Sequence, residues 1–525
     1  MKYFGWIFLF FIALYIIPLN NRPMLLDELR CAESVREMVT SGEYAAVTVA
    51  GKADASLPPM FNWLSSAWVN VFGQNNFAMR LCSALAAGLT ALLTALLIQQ
   101  NLRDEKLAAL AATLTLSCVG VVVCGTLAIP DMLFAMSVTG TLGTLFLALQ
   151  EPEFNRRKFS LSLLAGLFSA LAILTEGLSG LLFPLLVVIP YIFFSRKFKD
   201  CITVLPLFIL FAAIPSGAWA MQLLIAPPEM LMEFLLTAGL FAGDYRWYSY
   251  APVLIAGAFP ILILLPAALM TGRESWKRLL NQPLCQFSLC TLVLLLIWFS
   301  AWRSFPPSII LMLYPPVAIL TAMGLQAYFN NGGHHRSFDW MLNIWGLFLL
   351  ITGCIELLWW FLKDNCFTEY FQLLPFTRLF LLNLGISSII GGGVLLYSLH
   401  GNWRSRLYLF FFSIAILPLG ISWCIKPQRF MPEATFRTFI REFDIIPEKC
   451  EFFTSGEFVP ALSWCVNKEV QTADCLCPVI ETADSGRTVY IILEKSDRRL
   501  KNIDAKRSLT RGEFTCIEVA VPEKQ

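Results

Sequence analysis

Two adjacent carboxylates, Asp27 and Glu28, lie in the first polar stretch of a chain that is otherwise mostly apolar. They belong to the segment from Met24 to Pro59, which follows a single hydrophobic stretch. Ionisable groups close to a bilayer are costly, so they tend to mark functional sites. This segment is therefore where the sequence first indicates charge-dependent chemistry beside a membrane.

The residues around these carboxylates predict an amphipathic helix from about Leu26 to Ser41, with Gly42 as its natural end. Apolar and polar side chains recur at helical spacing on two faces, with Leu25, Leu29, Ala32, Val35 and Val39 on one face and Asp27, Arg30, Ser34 and Glu37 on the other. Two interpretations fit this pattern. The helix lies along the membrane surface with its carboxylates just above the lipid, or it is a loop helix whose charged face is solvated.

The composition predicts a polytopic membrane protein. Of the 525 residues, 57% are hydrophobic and 14% are charged, which is far too apolar for a water-soluble protein. A net charge of +2 argues against nucleic acid as a partner, because no strongly basic face exists to follow its phosphates. Neither a Walker loop nor a dinucleotide fingerprint lies between a predicted strand and a helix, so neither ATP nor a nucleotide sugar is indicated.

The apolar stretches predict about 13 transmembrane helices, roughly one for each stretch long enough to cross a bilayer. The first, Tyr3 to Leu19, has no small-residue cleavage site after it and is expected to stay in the protein. The others are expected at roughly 78–99, 107–125, 131–149, 161–175, 177–194, 202–225, 251–270, 285–302, 306–328, 340–362, 378–399 and 407–424.

The basic residues beside the short loops predict a cytoplasmic N-terminus. With that orientation every basic cluster is on the inner side, namely Arg103 and Lys106, Arg156 to Lys158, Arg196 to Lys199, Arg273 to Arg278, Arg336, and Arg404 with Arg406. The odd number of spans then places the tail outside. The same topology brings one set of acidic residues to the outer face, namely Asp27, Glu28, Asp131, Glu176 and Asp244.

Aromatic residues are also expected in the outer loops. Two interpretations fit them, a belt at the level of the lipid headgroups or a wall that contacts a sugar or a lipid. The residues are Trp63, Trp68, Tyr245, Trp247, Tyr248 and Tyr250.

Motifs in the first 330 residues resemble the lipid A 4-amino-4-deoxy-L-arabinose transferases and their relatives, the protein O-mannosyltransferases. The runs LLDELRCAESVREMVTSGEY and LPPMFNWLSSAWVNVFGQNNFAMRLCSALAAGLTALL resemble the amino-terminal part of that family. The motif residues are Asp27-Glu28, Arg30, Ala32-Glu33, Pro58-Pro59, Phe72-Gly73 and Arg80-Leu81. Downstream, PDMLFA (130–135), LTEG (174–177), DYRWYSYAPVLIAGAFP and FPPSIILMLYPPVAIL (305–320) are similar to further family motifs in the same order.

The resemblance implies a C-type glycosyltransferase fold and a polyprenyl-phosphate-sugar donor. An acceptor group would attack the anomeric carbon while the lipid phosphate leaves, with inversion of configuration. Asp27 is implied as the base that takes the acceptor's proton, although an Asp at this position also caps helices. Glu28 is also a predicted catalytic residue. Asp131 would orient the acceptor or a cation, or else cap the fourth span.

The resemblance also implies a set of substrate-binding residues. A guanidinium group can donate two hydrogen bonds to two oxygens of one phosphate. The candidates for that contact are Arg30, Arg80, Arg246 and Arg303. Pro58, Pro59 and Tyr248 complete the predicted substrate-binding set.

Three family positions differ in this chain. The family's Glu-Lys before the proline pair is Ser56-Leu57 here, its Leu-Thr-Lys-Gly carries Glu176, and the lysine of its late Lys-Leu-Pro segment is Phe305. These changes remove one carboxylate that can bind a metal and three cations that can hold a phosphate. Nearby Lys52, Asp54, Arg246 and Arg303 are candidates to replace them. A divalent metal ion stays open as a cofactor.

The domain prediction is a transmembrane glycosyltransferase domain at 1–425, with an outer amphipathic-helix loop at 20–77, and a small soluble α/β domain at 426–525. In the tail, PEATFRTFIREF reads as a helix, and RTVYIILE and FTCIEVAV read as strands. Disulfides are expected there if the compartment is oxidising. The candidate cysteines are Cys450, Cys465, Cys475, Cys477 and Cys516.

The sequence therefore predicts a multi-pass protein of the bacterial inner membrane with a periplasmic C-terminal domain. Its predicted activity is transfer of a sugar from a polyprenyl phosphate to lipid A or another envelope glycan. Two alternatives stay open: a secreted protein's hydroxyl as the acceptor, and a non-catalytic flippase or transporter of a lipid-linked saccharide.

Overall fold

A computed structural model describes the following residues: 2–20, 23–54, 58–225, 245–270, 273–303, 305–330, 335–366, 378–397, 403–421, 432–443, 445, 450–472, 488–494, 497, 505–511 and 514–519. The expectations for Ser56, Leu57, Asp244, Cys475 and Cys477 lie outside these residues.

Most of the described chain is helical, as the composition predicts. The helices of the apolar part are α1 Lys2–Phe11, α2 Leu26–Ser41, α3 Met60–Phe72, α4 Asn76–Leu102, α5 Glu105–Ser117, α6 Val119–Gly125, α7 Asp131–Gln150, α8 Arg156–Glu176, α9 Ser179–Phe194, α10 Asp200–Thr203, α11 Leu205–Ile225, α12 Tyr250–Gly257, α13 Ile261–Leu269, α14 Arg273–Leu280, α15 Pro283–Trp302, α16 Tyr314–Asn330, α17 His335–Cys366, α18 Arg378–Tyr397 and α19 Trp403–Ile421. A short 3-10 helix, Pro307–Leu313, precedes α16.

Within the described ranges, seven helices are long and apolar enough to cross a membrane, or nine if two bent pairs each count as one span. Shorter apolar helices lie at Gly5–Asn20, Ser179–Phe194, Leu382–Tyr397 and Arg406–Ile416. The chain is therefore a multi-pass membrane protein. The number 13 stays a prediction.

Two predicted spans are each made of two helices. The span at 107–125 bends by 65° between α5 and α6, and the span at 251–270 bends by 94° between α12 and α13. The second break has a local cause, since Pro260 lacks the N–H that would continue the helix. The two breaks meet, because Val119 N–H donates to the Phe259 carbonyl at 2.9 Å.

The Tyr314 side chain packs into this junction between the breaks. A Cβ at Gly120 would lie 2.5 Å from the Tyr314 ring, and a Cβ at Gly257 would lie 1.8 Å from its hydroxyl oxygen. Glycine at both positions therefore lets two bent helices close around one buried ring. The sequence pattern shows two apolar stretches and does not show this contact.

The C-terminal part contains a five-stranded sheet with the strand order β4-β3-β5-β7-β6. A two-stranded hairpin, β1 Thr48–Val49 and β2 Lys52–Ala53, lies earlier in the chain, and the sheet is built from β3 Cys450–Thr454, β4 Gln471–Thr472, β5 Thr488–Glu494, β6 Ala505–Arg511 and β7 Phe514–Val519. Strand β3 is parallel to β4 and β5, whereas β7 is antiparallel to β5 and β6. Helices α20, Pro432–Glu442, and α21, Val459–Val466, accompany it.

The predicted helix and both predicted strands of the tail are therefore present. No disulfide joins Cys450, Cys465 and Cys516 to one another, so the expected disulfides do not form among these three.

Polar contacts between successive loops define one end of the helix bundle. Gln326 donates to Asp104 at 2.5 Å, Arg157 donates to Gln100 at 3.2 Å, and Lys158 pairs with Asp200 at 2.5 Å. At the other end, Ser308 contacts Asp131 at 2.7 Å, and Gln74 donates to the carbonyl of Trp464 in the C-terminal domain at 3.2 Å. Within the described part of the chain, the predicted inner basic residues and the predicted outer acids thus lie at opposite ends.

Candidate functional site

Helix α2 is held between the helix bundle and the C-terminal domain. It begins at Leu26 and ends at Ser41, as predicted, and Gly42 closes it with a left-handed φ of 71°. Leu29, Ala32 and Val35 are fully buried on the predicted apolar face. The polar side is covered too, because Ser34 is buried and receives a hydrogen bond of 3.0 Å from Asn62. On the same side Asp27 and Arg30 are exposed, so the polar face is solvated near the start of the helix and covered at Ser34.

Glu28 and Arg80 form a fully buried ion pair below the start of this helix. The Glu28 carboxylate accepts from Arg80 at 2.7 and 3.0 Å and from the N–H groups of Leu25 and Ala128, both at 2.9 Å. Arg80 also donates to the carbonyls of Leu19 and Pro23. These contacts join four segments, and they favour a role for Glu28 and Arg80 in positioning the helix rather than in contacting a substrate.

Asp27, next to Glu28 in the chain, is exposed at the first turn of α2. Asp131, which begins α7, accepts a hydrogen bond of 2.7 Å from Ser308. Asp131 also interacts electrostatically with both Asp27 and Glu176. The structure therefore brings together three acids that are far apart in the chain.

The Cys31 thiol, one turn after Asp27, lies close enough to these three acids for their charges to affect its pKa. Burial raises the pKa of Cys31 to about 12, Arg30 lowers it, and the carboxylates of Asp131, Asp27 and Glu176 raise it further. The three acids therefore lie near the first turn of α2. This makes the end of α2 the candidate active site.

The predicted cations have different surroundings. The Arg30 side chain is half exposed and forms an ion pair with Asp54. The Asp54 carboxylate therefore already contacts a cation. Arg246 is exposed, donates to the Tyr248 hydroxyl and lies over the Tyr248 ring at 5.8 Å. The Tyr245 N–H donates to the Arg303 carbonyl at 2.9 Å, so Arg246 and Arg303 lie in neighbouring segments. Both guanidinium groups are exposed at the same rim.

Arg303 is linked to the acids through a short segment. It precedes Ser308, the partner of Asp131, by only five residues, which span at most about 18 Å when fully extended. In between, the Tyr250 hydroxyl donates to the Phe305 carbonyl at 2.7 Å, and the Phe305 side chain is buried. Phe305, which stands where the family has lysine, is thus a packing residue.

Pro58 and Pro59 are both buried, and the Pro59 carbonyl accepts a bond of 2.8 Å from Trp63 N–H at the start of α3. Their positions fit a structural role in the loop that leads into α3. Lys52 lies exposed in the β1–β2 hairpin.

The C-terminal domain supplies contacts that the sequence did not reveal. Glu433 of α20 is buried, and its carboxylate accepts from Met24 N–H at 2.6 Å and from the Asn76 amide at 3.2 Å. Arg437 donates to its other oxygen at 2.9 Å. Helix α21 packs against α2. In the sequence, Glu433 is an acid in a predicted helix of the tail. No local sequence pattern connects it with Met24.

Glu33 and Arg36 form a second buried pair on α2, at 2.7 and 2.8 Å. Burial raises the pKa of Glu33 to about 7, although Arg36 opposes the shift. Glu33 also acts electrostatically on Cys465 of the C-terminal domain. The pair therefore lies where the two parts of the protein meet.

The described residues contain no group of three His, Cys, Asp or Glu side chains that could hold a metal ion. Asp27, Asp131 and Glu176 are close enough to interact but do not form such a cluster. They do not fit a metal centre, and no step below depends on a metal.

Comparisons with known proteins agree with the motifs. Residues 56–219 match the family described as dolichyl-phosphate-mannose-protein mannosyltransferase. The chain is 31% identical over 361 residues to the undecaprenyl phosphate-alpha-4-amino-4-deoxy-L-arabinose arabinosyl transferase of Aeromonas salmonicida, a match that covers 67% of this chain and 64% of that relative. The corresponding transferase of Serratia proteamaculans is 31% identical over 323 residues, 60% of this chain and 57% of the relative. The matched region thus spans somewhat less than two thirds of these relatives.

The fold agrees over the whole chain. The crystal structure of ArnT from Cupriavidus metallidurans bound to undecaprenyl phosphate superposes with a TM-score of 0.79 at 16% identity and covers 99% of both chains. In sequence and in fold, the chain is thus similar to the ArnT-like and mannosyltransferase-like glycosyltransferases. The oligosaccharyltransferase of Archaeoglobus fulgidus is a more distant neighbour, with a TM-score of 0.52, 11% identity and coverage of 94% of this chain and 69% of that one.

Part of the site lies inside the segment that matches the family model. Arg80, Asp131 and Glu176 fall within residues 56–219, whereas Asp27 and Glu433 do not. The candidate site is therefore assembled from the matched part of the bundle and from segments outside it.

Proposed function

We propose that the protein transfers a sugar from a polyprenyl (undecaprenyl) phosphate to lipid A or another envelope acceptor. The observation that carries this proposal is the placement of exposed Asp27 beside Asp131 and Glu176, at the end of the bundle where Arg246 and Arg303 are exposed. Relatives at about 30% identity are named for transfer from an undecaprenyl phosphate donor, which supports the donor class.

We further propose the bacterial inner membrane as its location, with the N-terminus cytoplasmic and residues 426–525 as a periplasmic domain. The separation of the basic clusters from the acids supports this orientation, since basic loops stay on the cytoplasmic side. The donor's sugar would then be used at the periplasmic face.

In the proposed reaction, the acceptor oxygen attacks the anomeric carbon of the sugar. The bond between that carbon and the acceptor oxygen forms while the bond to the lipid phosphate oxygen breaks, so the configuration inverts. Asp27 takes the proton of an acceptor hydroxyl. The electron pair of the broken bond leaves with the polyprenyl phosphate, whose negative charge is stabilised by nearby cations.

Arg303 and Arg246 are the proposed phosphate ligands, since a guanidinium binds two phosphate oxygens at once. Arg30 would contribute only after releasing Asp54. Asp131, held by Ser308, would orient the acceptor. Glu28 and Arg80 position Asp27 by holding the start of α2.

A protein hydroxyl is the second candidate acceptor. It is favoured by one observation, the match of residues 56–219 to a protein mannosyltransferase family. The reaction at the anomeric carbon would be the same for both acceptors.

The test is sugar transfer in membranes that contain the parent protein, Asp27→Asn or Glu43→Gln. Labelled undecaprenyl-phosphate sugars serve as donors, and extracted envelope lipids or envelope proteins serve as acceptors. Glu43 is an exposed acid just after α2, so it is the matched control for a lost surface charge. We expect transfer by the parent and the control and a loss of at least about 100-fold in Asp27→Asn, the lower limit typical of a general base.

Three other outcomes would change the proposal. Full transfer by Asp27→Asn would remove the base role but keep the enzyme. Transfer to proteins alone would select the second acceptor. Donor movement across vesicles without transfer to any acceptor would replace the enzyme by a transporter. A higher donor KM with unchanged kcat in Arg303→Gln would support the phosphate role.

A further inference from the structure

Two adjoining cavities lie at the end of the bundle opposite Asp27. The first has a volume of about 300 Å³ and opens between α1, α5, α16 and α19. The second has a volume of about 380 Å³ and lies between the ends of α4, α14 and α16. Both are lined by Asp104, Leu107, Gln326 and Asn330, so they form one divided space.

The length of α4 places this space at the other membrane face. Asn76, the first residue of α4, contacts Glu433 beside the candidate active site, while Leu102, its last residue, lines the second cavity. A helix of 27 residues is about 40 Å long at 1.5 Å per residue. The cavities are therefore separate from the proposed transfer site.

The two cavities differ in chemistry. The first is walled mainly by large apolar side chains, among them Trp6, Leu110, Phe329, Tyr408 and Phe411. The second is lined by polar side chains that include Ser275, Arg278 and Gln282. An apolar compartment beside a polar one matches a molecule with a hydrocarbon chain and a polar headgroup.

The cations at these cavities are available to a ligand. Lys106 lines the first cavity and Arg278 the second, and both are exposed. Within the described part of the chain, neither side chain forms an ion pair. Other basic residues at this end are paired, as in Lys158–Asp200, Arg157–Glu151 and Arg406–Asp339.

Asp104 is the acid in this space, and its carboxylate is already engaged. One oxygen accepts from the N–H groups of Lys106 and Leu107, and the other accepts from the Gln326 amide. Asp104 keeps its negative charge, but Lys106 and Arg278 together outweigh it, so the charge that lines the two cavities is net positive.

We propose that this divided space binds an anionic glycerophospholipid from the adjacent leaflet. Its phosphate lies in the polar compartment with Arg278, next to Lys106 of the adjoining cavity, and one acyl chain enters the apolar compartment beside Trp6 and Phe411. Basic pockets between transmembrane helices are suited to such headgroups. The proposal does not depend on the proposed sugar transfer.

The test is native mass spectrometry of the purified full-length protein in detergent with added phosphatidylglycerol or phosphatidylcholine. The variants are Lys106→Glu/Arg278→Glu and Ala109→Trp, which fills the apolar compartment. Lys277→Glu is the matched control, since Lys277 neighbours Arg278 but pairs with Glu274 outside both cavities. Each surface cation contributes about 1 kcal/mol to binding an anionic lipid, so the double variant should retain at least about tenfold less phosphatidylglycerol.

The expected result is preferential retention of phosphatidylglycerol by the parent and the control, with a loss in both cavity variants. Equal retention in Lys106→Glu/Arg278→Glu and the parent would overturn the charge contacts, and unchanged retention in Ala109→Trp would overturn the acyl-chain site. Soluble glycerol 3-phosphate distinguishes a lipid from a free phosphate. Competition by that compound at the same concentration as the lipid would replace the lipid by a water-soluble phosphate. Lys106→Ala/Arg278→Ala gives the same test if the charge reversal lowers Tm.

Discussion

The Glu433 carboxylate accepts a 2.6 Å hydrogen bond from the backbone N–H of Met24, a residue 409 positions earlier in the chain. Met24 is fully buried and lies just before the helix that carries Asp27. The same carboxylate oxygen accepts from Asn76 at the start of α4. The C-terminal domain is thus attached to both segments that flank the candidate active site.

This contact predicts that Glu433→Ala disturbs Asp27 as well as the domain interface. The variant leaves the buried Met24 N–H without its acceptor, at a cost of about 1–3 kcal/mol. We expect a lower Tm in detergent, faster proteolysis near residue 24 and reduced kcat. Glu433→Gln, which keeps an acceptor oxygen, should recover most of the loss. Arg437→Ala is the control, because Arg437 is half exposed and contacts the other oxygen. Equal effects of Arg437→Ala and Glu433→Ala would contradict this prediction.

The buried Glu28–Arg80 pair predicts a large loss of stability when one partner is removed. Arg80→Met leaves an unpaired carboxylate that is 0% exposed, and breaking such a pair costs about 3–5 kcal/mol. Thermal unfolding and the yield of folded protein measure the effect. Arg157→Met, which breaks a pair whose arginine is 53% exposed, should change stability by less than about 1 kcal/mol. If Arg80→Met unfolds like the parent but raises the donor KM, Arg80 is a phosphate ligand and not a positioning residue.

The raised pKa of Glu33 predicts that stability falls as pH rises through the range from about 4.5 to about 7. The folded protein binds the Glu33 proton more tightly than the unfolded chain, so this contribution is complete below the unfolded value of 4.5. It is lost as the pH passes about 7 and is on the order of 3 kcal/mol. Glu33→Gln removes the titration but keeps an acceptor for Arg36. A Tm that varies less between pH 5 and about pH 8 in Glu33→Gln than in the parent is expected, and identical profiles would exclude Glu33 as the group responsible.

The packing of Tyr314 between two helix breaks predicts that Gly257→Ala is destabilising. The added Cβ would lie 1.8 Å from the Tyr314 hydroxyl oxygen and 2.7 Å from Cζ, so the ring must move. Overpacking of this kind costs about 1–3 kcal/mol. Gly217→Ala is the control, since nothing lies within 4 Å of a Cβ there. Adding Tyr314→Phe removes the nearest atom and should recover part of the Tm, whereas equal Tm values for Gly257→Ala and Gly217→Ala would refute the steric argument.

The sequence by itself determined the properties that depend on local pattern. Apolar stretches predicted a helical membrane protein, and periodicity with Gly42 predicted α2 at its observed bounds. The tail strands were predicted because alternating or continuous β-branched residues mark a strand. Membrane composition and helical period are properties of neighbouring residues, so they can be read without knowing the fold.

The tertiary structure decided which charged residues contact one another. Glu28 and Glu33 are acids like Asp27, and Arg80 is an arginine like Arg303, yet the first three are buried and paired while Asp27 and Arg303 are exposed. Burial and long-range contact decide whether a charge holds the fold or faces a substrate, and neither is encoded in a local pattern. The same reason explains why the packing of Tyr314 between the two helix breaks and the Glu433–Met24 contact were missed: each joins residues that only the folded chain brings together.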